Sequence, residues 1–296
     1  MTTKTKLTKG SLRLRVGCSS GTQRRGRSLK QKSCECTKKG DGGNGLKAEL
    51  LEKSPLGWAR QVLGFVPDQA QASVLRGAAG VKRIVLNCTR QWGKSTVAAV
   101  LVAHRLVTVA GSTVLVVGPA GKQAGETVKK VCSFLAAMGI ATRGDGVNPG
   151  AKMLPNGSRI VPLPGREGTT RGFSAVSMLI VEEAARVPDE VYLALLPSLA
   201  VCDGDVMLLS TPKGRRGFFY REAMEGVGAA DTLVHTGPVT ECSRISEKYL
   251  ARQRARGDVY FRQEFLCEFV ETGKFLLDEA TVNAMENPEE RAWDHV

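Results

Sequence analysis

The feature that most constrains this chain is the run Arg83-Ile-Val-Leu-Asn-Cys88, followed by Thr89-Arg90-Gln91-Trp92-Gly93-Lys94-Ser95 and then a helical pattern from Val97 to Val107. A continuous apolar run rich in β-branched residues is a strand buried on both faces, the kind found in parallel sheets covered by helices. A glycine-containing loop that leads from such a strand into a helix aims backbone N–H groups and the positive end of the helix at one point. Phosphate oxygens are the ligands that such a point selects.

The pattern recurs along the chain. Thr113-Val-Leu-Val-Val-Gly118 precedes a helical stretch from Gln123 to Met138, and Ser177-Met-Leu-Ile-Val181 and Asp205-Val-Met-Leu-Leu-Ser210 are further apolar runs. Apolar strands alternating with helices predict an α/β fold, a mostly parallel sheet with helices on both faces. Between them, Asn156-Gly157 lies inside Lys152 to Val161, a hairpin signal that predicts an antiparallel insertion.

Charge is unevenly placed. Residues 1–45 hold 12 Lys or Arg and 2 acids, +10 of the chain's +13, and show almost no periodic apolar residues. They read as a basic disordered tail, either a solvated arm or a contact to phosphate backbone or an anionic surface. Residues 46–270 form the expected ordered domain, for which 296 residues leave ample length. Residues 271–296, with Asp278, Glu279, Glu286, Glu289 and Glu290, read as a charged extension and not as a metal site.

No apolar run approaches the roughly 20 residues that cross a bilayer. The basic N-terminus also lacks the apolar core of a signal peptide. A soluble cytoplasmic protein with no membrane partner is expected. Of the 8 cysteines, Cys18, Cys34 and Cys36 lie in the tail without a fourth metal ligand, and the others read as reduced thiols.

Three segments carry chemistry. Lys94 is placed to reach the β and γ phosphates of a nucleotide and Ser95 to hold Mg²⁺. The usual pattern has glycine five residues before Gly93, where this chain has Cys88. The run Met178-Leu-Ile-Val181 ends in Glu182-Glu183, which assigns Glu182 to the metal and Glu183 to the attacking water. Glu182 stands where Asp is usual. Ser210-Thr211-Pro212 ends another strand, where hydroxyls can respond to the γ-phosphate.

Together these segments resemble the ATPase half of the phage large terminase subunit, a P-loop, RecA-like (ASCE) motor. The resemblance runs from Phe65 to Val270 through Phe65-Val-Pro-Asp68-Gln-Ala-Gln71, Arg90-Gln91-Trp92-Gly93-Lys94-Ser95-Thr96, Gly118-Pro-Ala-Gly-Lys-Gln123-Ala124 and Arg171-Gly172. It continues in Val181-Glu-Glu-Ala-Ala185, Ser210-Thr-Pro212 and Phe261-Arg-Gln-Glu264-Phe-Leu-Cys-Glu268-Phe269. The family often lacks the first glycine of the loop.

The resemblance implies that Gln71 reads adenine, that the Arg90 to Thr96 loop holds ATP, and that Lys94 and Ser95 hold phosphate and Mg²⁺. It further implies that Glu183 activates water, that Arg90 senses or stabilises the γ-phosphate, with Arg171 as a second candidate, and that Ser210 and Thr211 couple hydrolysis to movement. The implied partners are the backbone of double-stranded DNA, a portal protein, the small terminase subunit and further copies of this chain in a ring, in the host bacterial cytoplasm. The family's nuclease does not fit in the residues after Val270, so DNA cleavage is not expected. Two other readings stay open: a helicase-like DNA-dependent ATPase, and a truncated prophage remnant that binds nucleotide without turnover.

Overall fold

The computed structural model describes residues 54–166 and 172–271. Arg171, the basic segment 1–45 with Cys18, Cys34 and Cys36, and the acids at 278, 279, 286, 289 and 290 lie outside the described residues.

In chain order the elements are α1 (Pro55–Gln61), α2 (Gln69–Gly77), β1 (Arg83–Cys88), α3 (Lys94–Thr108), β2 (Thr113–Gly118) and α4 (Gly121–Ala137). Then come β3 (Lys152–Met153), β4 (Arg159–Pro164), β5 (Met178–Glu182), α5 (Asp189–Leu195) and β6 (Asp205–Ser210). The last are α6 (Gly217–Glu225), β7 (Thr232–Gly237), α7 (Glu247–Arg254) and α8 (Asp258–Glu264). The seven strands lie in the order β3-β4-β2-β5-β6-β1-β7. Every pairing is parallel except β3 with β4, where Lys152 opposes Ile160 and Met153 opposes Arg159. The predicted hairpin is thus present, but its second strand also pairs in parallel with β2 and so joins the main sheet.

Alternation along the strands divides the core into two layers. Ile84, Leu86, Val114, Val116, Met178, Ile180, Met207 and Leu209 face α1 to α4. Val85, Leu115, Val117, Leu179, Val181, Val206 and Leu208 face α5 and α6, where Tyr192 stacks on Phe218 at 4.1 Å. Both faces are covered, so the strands read as unbroken apolar runs. α3 goes further: Val97 through Ala103, with Leu106 and Val107, are all buried, because α1, α2 and α4 pack around it while its inner face lies on the sheet. A helix held on so many sides is a rigid mount for the loop at its N-terminus.

Strand β7 was not read from the sequence. It pairs with β1 at the sheet edge, and Thr232 to His235 are only half buried, which leaves them without a strong apolar pattern.

Candidate active site at the carboxyl ends of the strands

In the strand order, β6 separates β1 from β5. Parallel strands deliver their following loops to the same sheet edge, so the loop after β1, the acids after β5 and the hydroxyls after β6 meet there. Residues far apart in the chain become neighbours through register alone.

At the β1 end, Gly93 precedes α3 with φ of 101°. A side chain there would strain the backbone, and its Cβ would stand 2.5 Å from Gln71 Nε2. Gln91 holds φ of 69°, a left-handed conformation that costs a non-glycine residue on the order of 1–3 kcal/mol and that clusters at functional sites. The Lys94 ammonium donates to the carbonyls of Cys88 at 2.6 Å and Thr89 at 3.0 Å, folding back along its own loop. Cys88 is fully buried and burial pushes its thiol far up, so it serves as a small packing residue and not as a nucleophile.

At the β5 end, Glu182 is buried with 7% exposure, and both its oxygens are engaged. Ser95 Oγ donates to Oε2 at 3.3 Å and Thr127 Oγ1, from α4, donates to Oε1 at 2.6 Å. Burial raises the Glu182 pKa, while the Thr127 and Ser95 hydrogen bonds act to lower it. A buried carboxylate beside the loop hydroxyl that follows Lys94 is a donor set suited to Mg²⁺, which takes few protein ligands and completes its shell with phosphate oxygens and water. Among the described residues no cluster of three His, Cys, Asp or Glu is placed to hold a metal ion.

Glu183 lies one residue on, with φ of 51°. Arg186 Nη1 donates to Glu183 Oε2 at 2.8 Å and to Thr211 Oγ1 at 3.3 Å. Arg186 Nη2 donates to Glu264 Oε1 at 3.3 Å, while Arg90 Nε donates to Glu264 Oε2 at 3.1 Å. Ser210 Oγ accepts from the Ala185 amide at 3.2 Å and donates to the Thr211 carbonyl at 2.7 Å. The β6 end is thus tied to the acids by hydrogen bonds.

Gln71, the expected adenine reader, has its side chain engaged within the protein. It occupies the third position of α2, where its backbone N–H donates to Asp68 Oδ1 at 2.9 Å and its Oε1 accepts from the Asp68 amide at 3.3 Å, a capping box. Its Nε2 donates to the Trp92 carbonyl at 2.9 Å. Both ends of the amide are used and the residue is 5% exposed, so in this conformation it braces the loop. Trp92 points inward too: its indole donates to Glu241 Oε2 at 2.7 Å and leans on His235 with ring centroids 5.2 Å apart. Arg244 Nη2 adds bonds to the carbonyls of Gln91 at 3.1 Å and Trp92 at 3.3 Å.

The structure therefore places Arg90, Gln91, Gly93, Lys94, Ser95, Thr96, Glu182, Glu183, Ser210 and Thr211 at one edge of the sheet. Thr127, Arg186, Glu241 and Arg244 were not read from the sequence. Arg186 had a signal, a cation three residues after the acid pair, whereas Thr127 sits on an ordinary helical stretch and is distinguished only by what it touches. Beside the loop, Arg244, Tyr249, Arg252 and Tyr260 line a cavity of about 760 Å³ that reaches Arg90, Gln91 and Glu264.

No family model matches the sequence. The terminase large subunit of Thermus virus P23-45 is 29% identical over 246 residues, covering 71% of this chain and 50% of that protein. That of Thermus phage G20c is 28% identical over the same shares. The chain thus spans half the length of the curated relatives it matches. Among solved structures, the large terminase ATPase domain of Thermus phage P74-26 has a TM-score of 0.63 at 23% identity, covering 71% of this chain and 97% of that one. The large terminase of another thermophilic bacteriophage, in complex with ADP, has a TM-score of 0.57 at 13% identity, covering 75% of this chain and 53% of that one. By sequence this chain is similar to the terminase large subunits over half their length, and it shares the fold of the large terminase ATPase domain.

Proposed function

We propose that this chain hydrolyses ATP and uses the cycle to move double-stranded DNA, as the motor part of a phage DNA-packaging machine. The observation that carries the reading is the meeting of Lys94 and Ser95 with Glu182 and Glu183 across β6, with Ser95 Oγ 3.3 Å from Glu182. A thermophilic bacteriophage terminase whose fold this chain shares has been seen with ADP and with ATP-γ-S.

In this reading the Arg90 to Thr96 loop cradles the phosphates, and Lys94 exchanges its loop carbonyls for the β and γ oxygens. Ser95 and Glu182 hold Mg²⁺, which supplies charge neutralisation at the phosphates. Glu183 orients the attacking water and Arg90 meets the γ-phosphate. Gln71 acts by bracing Trp92, not by touching the base. Ser210 and Thr211 relay the state of the site, since their hydroxyls bond Ala185 and Arg186 beside the acids. Contacts to DNA are to phosphates, so binding falls steeply with salt and shows little sequence preference. A ring of copies on a portal, the small subunit as partner and the host cytoplasm as location belong to the same reading. Among the described residues no helix is long and apolar enough to cross a membrane.

The test is phosphate release from ATP by the purified chain, with and without double-stranded DNA, beside Lys94→Ala and Glu183→Ala. Turnover that DNA stimulates and both substitutions abolish is expected. Nucleotide binding without turnover, by folded protein, would overturn the motor in favour of a non-hydrolysing module.

A further inference from the structure

Glu264, at the end of α8, stands between two arginines that come from opposite sides of the site. Its Oε2 accepts from Arg90 of the β1 loop and its Oε1 accepts from Arg186 beyond β5, at 3.1 and 3.3 Å. Arg186 in turn holds Glu183 at 2.8 Å. The result is a chain of alternating charge, Arg90–Glu264–Arg186–Glu183, that spans the mouth of the site. Its backbone is anchored too, because Thr89 Oγ1 donates to the Glu264 carbonyl at 2.7 Å. The exposures are unequal: the Glu264 side chain is 12% exposed, Arg186 26% and Arg90 65%. Water competes well for Arg90 and poorly for the inner pair, so the link most easily broken is the outer one.

We propose that Glu264 is a positioning residue that makes the γ-phosphate compete for Arg90 and, once Arg90 leaves, draws Arg186 away from Glu183 so that this carboxylate is free to orient water. This rests on the nucleotide reading above. In the resting arrangement the carboxylate of Glu264 is shared between two guanidinium groups. When one departs, the whole of its charge acts on Arg186, and the Arg186–Glu183 bond weakens by the same redistribution. A γ-phosphate thereby arms the acid without touching it, whereas ADP, which lacks that group, leaves the chain of charges closed.

The test compares binding of ATP-γ-S and ADP by calorimetry for wild type, Glu264→Gln, Glu264→Asp, and Glu264→Gln with Arg90→Ala. Glu264→Gln keeps the side-chain length and the main-chain carbonyl on Thr89, and circular dichroism checks that it is folded. Its preference for ATP-γ-S over ADP is expected to rise about fivefold, the size of one partly exposed charge pair. That rise disappears when Arg90 is also removed, and Glu264→Asp stays nearer wild type. In the turnover assay Glu264→Gln lowers kcat without raising KM, and adding Arg186→Ala restores part of the loss, because nothing then holds Glu183. An unchanged preference in Glu264→Gln, or a rise that persists without Arg90, overturns this inference alone. Wild-type protein that binds neither nucleotide overturns the functional reading and this inference with it.

Discussion

The Gln71 amide donates to the main-chain carbonyl of Trp92 at 2.9 Å, joining the start of α2 to the loop that precedes α3. With the capping box that Gln71 makes to Asp68, one side chain braces both a helix N-terminus and the loop before α3. Gln71→Ala is expected to cost about 1–3 kcal/mol, because it strips a partner from buried main-chain groups. Urea unfolding measures the loss. If Gln71 instead reads the base, stability stays level while the preference for ATP over GTP collapses.

Gly237 lies under the Trp92 indole, and a Cβ there would stand 2.5 Å from Nε1 and 3.0 Å from the Cys88 sulfur. Neither neighbour can retreat, since Trp92 is buried and bonded to Glu241. Gly237→Ala is therefore expected to destabilise by about 1–3 kcal/mol through overpacking and to alter tryptophan fluorescence. A variant with wild-type stability and spectrum would show that the loop is not seated on β7.

Thr127 reaches Glu182 from α4 at 2.6 Å and orients the carboxylate that Ser95 also contacts. Thr127→Val keeps the shape and removes the bond, and should weaken Mg²⁺ binding about 10- to 100-fold, the usual effect of losing a group that orients a metal ligand. A Mg²⁺ titration of ATP turnover reads this directly, and an unchanged midpoint would remove Thr127 from the site.

Burial raises the Glu182 pKa above its ordinary 4.5. A raised carboxyl pKa means that the folded chain binds this proton more tightly than the unfolded chain does. In metal-free protein its contribution to stability is therefore greatest below 4.5 and declines as pH rises through the folded value. Glu182→Gln lacks that titration, so above pH 4.5 its unfolding free energy should fall less with rising pH than that of wild type. Parallel slopes in urea titrations across this window would show that the ionised carboxylate is fully stabilised in place.

Much of this protein is legible in one dimension. Three of the strand runs, Arg83–Cys88, Thr113–Gly118 and Asp205–Ser210, match the structure residue for residue, and the fourth is displaced by one, to Met178–Glu182. Burial on both faces explains why: a strand with no polar side announces itself by composition. Strand β7 escaped because its residues are half exposed at an edge, and α7 escaped because its face is mostly charged.

What the sequence alone determined is the set of local instructions: the strand-loop-helix with Gly93, Lys94 and Ser95, the acid pair at the end of an apolar run, and the hydroxyls of Ser210 and Thr211. Only the tertiary structure decided which of these meet and what restrains them. Parallel register across β6 carried Glu182 to Ser95, the packing of α4 brought Thr127 behind it, and the return of α8 over the loop set Glu264 between Arg90 and Arg186. Those contacts join residues 55 to 174 positions apart. Short-range pattern cannot encode them, because they depend on the order of strands and the direction of side chains, which are fixed when the whole core closes.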